Sequence, residues 1–519
     1  MSRARFLKFV IFCHRWLGVA WCLLFALWFG SGIVMMYWSF PEVEAADRLA
    51  RSPALEASRI QISPQDAYAS LRLPDPPEQA QLSMFNGRPV YRFRSGRQQP
   101  VVYADDGQPR TEISRELGEQ IAAAWTGQPV SAEKFEGSMT EVDQWTVGGP
   151  GRALWPLLKY SWPDGEEVYV STVSGDVVQY TTRGSRLAAY FGAIPHWLYF
   201  TPLRRNGVLW RKVVLWASGV GIVVSLLGIL VGIWMYSPRK RYRSPQGPSS
   251  FPYTGQKRWH AILGLVFGLV TCTWVFSGLL SMQPFDRLTE GPSGAGRLAG
   301  ALRGARFQLA PFASKSPSVA LAQVPADLHV KVLEFTFFAG EPVYLATEAP
   351  QQSRVIPVRF PSAPFFDPDI VATVLARASR PSEVVEARLV DKYEAYYLDR
   401  HHDLPLPVLF IRLNDPDHSM YYVDVRTARI VAAYSARSRW NRWLYHGLHS
   451  LDLPWLYRYR PAWDIFVLVL LLGGASLSVT AVTMGWQVLA NKLRRAGRLR
   501  AVEAVEAVEA DERGPVSAR

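Results

Sequence analysis

Four of the chain's nine histidines occupy places where an ionisable side chain is costly. His14 and His260 stand near the heads of two long apolar runs, "HRWLGVAWCLLFALWFGSG" and "RWHAILGLVFGLVTCTWVFSG". His196, in "PHWLYFTPLRR", and His449, in "YHGLHSLDLP", each precede another apolar run. Ionisable residues in membrane segments tend to be functional, and neutral imidazole is a good ligand for iron, zinc and copper. Two imidazoles that face each other suit bis-histidine ligation of a haem. Gly18 and Gly264, four residues on, fall on the same helical face and leave room for a flat macrocycle. The plainer reading is an interfacial histidine beside small residues that aid helix packing. His446 adds a second imidazole one turn before His449, so either could be the outer ligand.

Long helices must position these side chains. A membrane span needs about 20 apolar residues, and four segments qualify: 9–37, 211–236, 258–282 and 463–490. The first is too long for a signal-peptide core and reads as a retained anchor. The net charge of +13 is gathered in "MSRARFLK", "SPRKRYRSPQGPSSFPYTGQKR" and "ANKLRRAGRLR", each beside an apolar run. That is the positive-inside pattern, and it argues against a basic groove for nucleic acid. It places both termini and the 237–257 loop in the cytoplasm. Segments 38–190 and 283–440 then face the periplasm or the exterior. Each reads as an α+β module, with "ISPQDAYASL" as a capped helix and "SMYYVDVRTARIVAAYS" as strand–turn–strand. Segments 191–210 and 441–462 are interfacial and carry the outer histidines. The tail, 491–519, is low-complexity sequence.

The two halves align. His14 falls on His260, Gly18 on Gly264, Trp28 on Trp274, Ser31 on Ser277, Gly32 on Gly278 and Met36 on Met282. With a second fixed offset, Tyr169 falls on Tyr422, Val170 on Val423, Arg186 on Arg439, His196 on His449 and Trp210 on Trp463. In this register His446 falls opposite Ala193, so the alignment favours His449. The pattern implies a duplicated unit of span, α+β module, histidine segment and span. Copies that insert with the same orientation are related by an axis along the membrane normal. Equivalent histidines then face each other at equal depth.

The three cysteines lie inside apolar runs, so no disulfide framework is expected, and without a CxxCH motif any haem is held non-covalently. No phosphate loop, dinucleotide fingerprint, nucleophile elbow or zincin motif is present, so any reducing equivalents would come from a partner, such as a cytoplasmic donor, or from quinol. His329, His401, His402 and His418 read as solvated loop residues.

The four spans, "HRWLG…WFGSG", "RWHAILG…WVFSG", "PHWLYFTPLRR" and "HGLHSLDLPWLYRYRPAWD" together resemble the PepSY-associated transmembrane family over residues 1–490. The resemblance implies four transmembrane helices with two PepSY-like α+β domains and two b-type haems. His14 and His260 would hold the inner haem, and His196 and His449 the outer one. It implies a membrane oxidoreductase that passes electrons outward, in some relatives to ferric siderophores. Two rival readings stand beside it: a non-redox envelope protein whose modules bind a periplasmic partner, and a transporter. Four spans without an acidic midplane residue speak against the transporter.

Overall fold

The computed structural model describes residues 3–512 other than 97, 111, 150, 246 and 401. Four helices are long and apolar enough to cross a membrane: Arg3–Met35, Gly207–Met235, Gly255–Ser281 and the helix that begins at Arg460. The last runs on to Glu512, because no glycine cap or proline ends the apolar run and "AVEAVEAVEA" is rich in helix formers. Residues 513–519 of the expected tail lie outside the described residues.

The first span packs on the second and the fourth, and so does the third. The first and third spans therefore face each other across the bundle, and they are the two that carry His14 and His260. Small residues set the close approaches. Ala in place of Gly473 would collide with the ring of Phe267, and in place of Gly474 with the ring of Phe29. Between the histidine levels the interior is filled by Phe25, Val224 and Val275, then by Phe29 and Leu471. All three cysteines are free, as their apolar setting requires.

The strands follow in chain order. The segment between the first two spans carries β1 (Gln79–Phe85), β2 (Arg88–Arg94) and β3 (Val101–Tyr103). It continues with β4 (Lys134–Met139), β5 (Leu157–Ser161), β6 (Glu167–Ser171) and β7 (Val177–Thr181). A hairpin of β8 (Tyr242–Ser244) and β9 (Gly247–Ser249) joins the second and third spans. The last segment carries β10 (Val332–Phe338), β11 (Glu341–Ala349) and β12 (Gln352–Pro357). It ends with β13 (Val384–Val390), β14 (Val408–Leu413), β15 (Met420–Asp424) and β16 (Arg429–Tyr434).

Strands β4 to β7 form one four-stranded antiparallel sheet and β13 to β16 another. A helix, Arg115–Thr126 or Pro368–Ser379, accompanies each. The second is the helix-plus-sheet arrangement expected around "SMYYVDVRTARIVAAYS". In the first, the helix expected in "ISPQDAYASL" forms as Pro64–Ala69 but packs on β2 and β3, and Arg115–Thr126 accompanies β4 to β7 instead. The remaining strands depart from the two-module expectation. Strands β1 to β3 and β10 to β12 build a single six-stranded sheet in the order β12-β11-β10-β1-β2-β3. Its central pair, β1 with β10, is antiparallel, with Leu82 opposite Leu333 and Ala80 opposite Phe335. The segments 38–190 and 283–440 thus share one sheet and one core. That core draws Leu82, Tyr91 and Val102 from the first and Phe312, Phe335 and Tyr344 from the second. Both segments consequently lie at the same end of the bundle, opposite the basic helix ends.

Candidate functional site: two imidazole pairs

Each histidine pair meets. The ring centres of His14 and His260 are 6.3 Å apart with 36° between the planes. Those of His196 and His449 are 6.0 Å apart at 67°. The second pair belongs to the short segments after the four-stranded sheets. His196 lies in the helix Ala193–Trp197, which the αL residue Leu198 ends. His449 follows a π-helical turn, Arg442–Gly447. Two tryptophans tether these segments to the spans: Trp210 Nε1 donates to Trp197 O at 2.8 Å, and Trp463 Nε1 to Ser450 O at 3.0 Å.

Every imidazole of the four is oriented through Nδ1. His14 Nδ1 is 3.2 Å from Val224 O, an acceptor only, so Nδ1 carries the proton. His260 Nδ1 is 2.9 Å from Thr480 Oγ1, whose own hydroxyl donates to Leu477 O. His196 Nδ1 meets Ser31 Oγ at 3.1 Å, and that hydroxyl donates to Trp28 O. His449 Nδ1 meets Ser277 Oγ at 2.9 Å, and that hydroxyl donates to Trp274 O. A hydroxyl that has given its proton to a carbonyl accepts from the imidazole. The tautomer is therefore the same in all four rings, and each keeps its Nε2 lone pair free. This is the arrangement in which an outer partner fixes a ligating histidine. Burial pushes His196 and His449 well below the usual histidine value, the nearby His449 adding to the effect at His196, so both rings are neutral.

The pairs fit a metal held between two rings. Metal–nitrogen distances of about 2 Å on each side put the ring centres about 6 Å apart. Among the described residues no group of three or more His, Cys, Asp or Glu is placed to hold a bare ion. Each pair can therefore offer two imidazoles to a bound group that brings further ligands of its own. The helix surface is open one turn from the first pair. A Cβ at Gly18 would meet no atom within 4 Å, and one at Gly264 only Leu477 Cδ1 at 3.8 Å. Gly228 has the opposite role: a Cβ there would be 2.8 Å from His14 Cε1, so only glycine lets the ring take this place.

His446 is exposed and rests against Tyr445, ring centres 4.4 Å apart, while His449 faces His196. His402 likewise packs on Tyr393 at 5.0 Å, and His401 lies outside the described residues. Ser31 and Ser277 stood in the sequence alignment as matched polar positions in apolar helices; their role as acceptors was not read from it. Val224 and Gly228 carry no sequence signal of their own, since a carbonyl and a missing side chain leave none, while Thr480 is a hydroxyl in an apolar helix, a signal that sequence reasoning missed.

The sequence matches the PepSY-associated TM region over residues 12–488. The chain belongs to the PepSY-associated TM family. A comparison with curated proteins gives no match. In this member of the PepSY-associated TM family the two imidazole pairs are separated along the first span, one at His14 and one beside Ser31. At a rise of roughly 1.5 Å per residue that stretch of helix measures about 25 Å.

The serines make a test of the orientation argument. Ser31→Ala removes the acceptor of His196 and Ser277→Ala that of His449. Each is expected to weaken occupancy of the second pair about 10- to 100-fold, the usual cost of losing an orienting partner. Occupancy of the first pair should be unchanged. Haem titration of the apoprotein followed by absorbance measures both. Equal weakening at the two pairs would contradict the assignment.

Proposed function

We propose that the chain is a di-haem electron-transfer protein of the bacterial inner membrane. It takes electrons from a cytoplasmic or quinol donor and passes them to a periplasmic acceptor, with ferric siderophores as the acceptor class. The observation that carries the reading is the pair of facing imidazole sets at two levels of one bundle. Haem b bound there supplies one-electron exchange between Fe(III) and Fe(II). His14 and His260 would hold the inner group through Nε2, and His196 and His449 the outer one. Two imidazoles for each group would satisfy the iron from the protein side, which would favour electron transfer over oxygen chemistry. The Nδ1 partners hold each ring in place, and the packed Phe25, Val275 and Phe29 keep water out between the levels.

The topology is part of the proposal. The basic stretches at the helix ends away from the sheets fit a cytoplasmic side, which puts the shared sheet in the periplasm. Two stations about 25 Å apart along a helix suit a hydrocarbon core of about 30 Å. The reading of the chain as a duplicated unit is supported by matched contacts. Ser31 and Ser277 serve the same function, as do Trp210 and Trp463. At the acceptor, an electron converts Fe(III) to the softer Fe(II), which hard oxygen chelators hold poorly.

Protein purified from haem-replete cells should show a Soret band and a dithionite-sensitive α band of b type, with two haems per chain. Absence of both bands would remove this reading. It would leave the non-redox alternative, in which the modules bind a periplasmic partner and the imidazoles only pack.

A further inference from the structure

The two four-stranded sheets differ at several matched positions, among them Glu167 against Met420, Ser161 against Arg412 and Lys159 against Phe410, and these differences open a site. In the first, Glu167 begins β6 and its carboxylate lies 2.9 Å from Lys159 and 3.4 Å from Arg186, and accepts from Tyr169 Oη at 3.0 Å. In the second, Met420 holds the corresponding place, two residues before Tyr422 as Glu167 is two before Tyr169. Arg439, which the alignment matches to Arg186, is still there. Its Nη1 contacts Met420 Sδ at 2.9 Å and His418 O at 3.3 Å, and among the described residues no carboxylate pairs with it. Arg412 is the cross-strand neighbour of Met420, so the two project from the same face of the sheet.

Around this point a cavity of about 400 Å³ is lined by Arg388, Arg412, Arg439, Glu386, Glu394 and Met420, among others. Arg388 is paired with Glu386 and Glu394, and Arg412 with Glu386. Three guanidinium groups against two carboxylates leave one positive charge over, and Arg439 is the one of the three that no carboxylate pairs with among the described residues. A guanidinium is built to take a carboxylate through two parallel hydrogen bonds. The geometry points to a binding site for a small carboxylate-bearing molecule, whose anionic group takes, on Arg439 and Arg412, the place that Glu167 fills in the first sheet. The site concerns binding alone and stands whether or not the imidazole pairs carry haem.

The test is equilibrium dialysis of the full chain in detergent with radiolabelled benzoate and citrate, and with benzamide as the neutral control. The wild type should bind at least one of the anions saturably, at one per chain, and should not bind benzamide. Met420→Glu supplies the missing carboxylate from within the chain and should lower affinity about tenfold or more, the worth of one charge-assisted hydrogen bond. Arg439→Gln should do the same by removing the cation. Both variants should keep the wild-type haem spectrum and elution profile, which separates this result from the electron-transfer reading. The proposal is overturned if the wild type binds neither anion at millimolar concentration. It is equally overturned if benzamide binds as well as benzoate, or if both variants bind like the wild type.

Discussion

Alanine at His14 is expected to lower the haem content of the purified protein from two per chain to one. The reason is geometric. His14 and His260 are the only imidazoles in mutual reach at that level among the described residues, with ring centres 6.3 Å apart. Removing one leaves a single ligand on a ring that Thr480 still orients, and no neighbouring histidine can replace it. His260→Ala should give the same loss. His196→Ala or His449→Ala should remove the other haem and leave the first, and the double variant His14→Ala with His196→Ala should contain none. His446→Ala should keep both, because that ring rests on Tyr445 rather than facing His196. Pyridine haemochromogen assay gives the count and the α-band amplitude reports the reducible fraction. Full haem content in all four single variants would falsify the ligand assignment.

The spans and the two histidine pairs were legible in the sequence for a physical reason. Apolar length and flanking charge are properties of contiguous residues, and a duplicated histidine in an apolar run stands out against its surroundings. The alignment even carried Ser31 with Ser277 and Trp210 with Trp463. What it could not carry was the contact each one makes. Ser31 meets His196, and Trp463 meets Ser450, through packing of elements distant in the chain or across a turn. The same limit explains the shared sheet. Strand β10 alternates buried and partly buried residues along its length, a pattern that reads alike for an edge strand and a central one. Nothing local in "QLSMF" or "VLEFTFF" names the other as partner, so the two segments read as two separate modules.

Phe335→Ala tests that shared core. Phe335 is 2% exposed, and its ring lies 5.2 Å from Phe312 and 4.9 Å from Tyr344 on its own segment. It also lies 6.2 Å from Tyr91, which belongs to β2 in the other segment. Across the central strand pair it is opposite Ala80, too small to fill the gap left by a missing ring. Loss of a buried phenylalanine with little collapse costs about 3–5 kcal/mol. Opening free energies follow cooperative units rather than chain order. The loss of amide protection should therefore extend beyond β10 and β11 to β1 and β2, although some 250 residues of sequence and two spans lie between them. Hydrogen exchange with mass spectrometry on the full chain reads this directly. If exchange quickens in 283–440 while 79–94 keeps its protection, the two segments are independent modules that only touch. If both quicken together, the segments after the first and third spans form one folding unit. The short histidine helices that follow them are then held against each other by a single rigid body, which is what fixing two rings 6.0 Å apart requires.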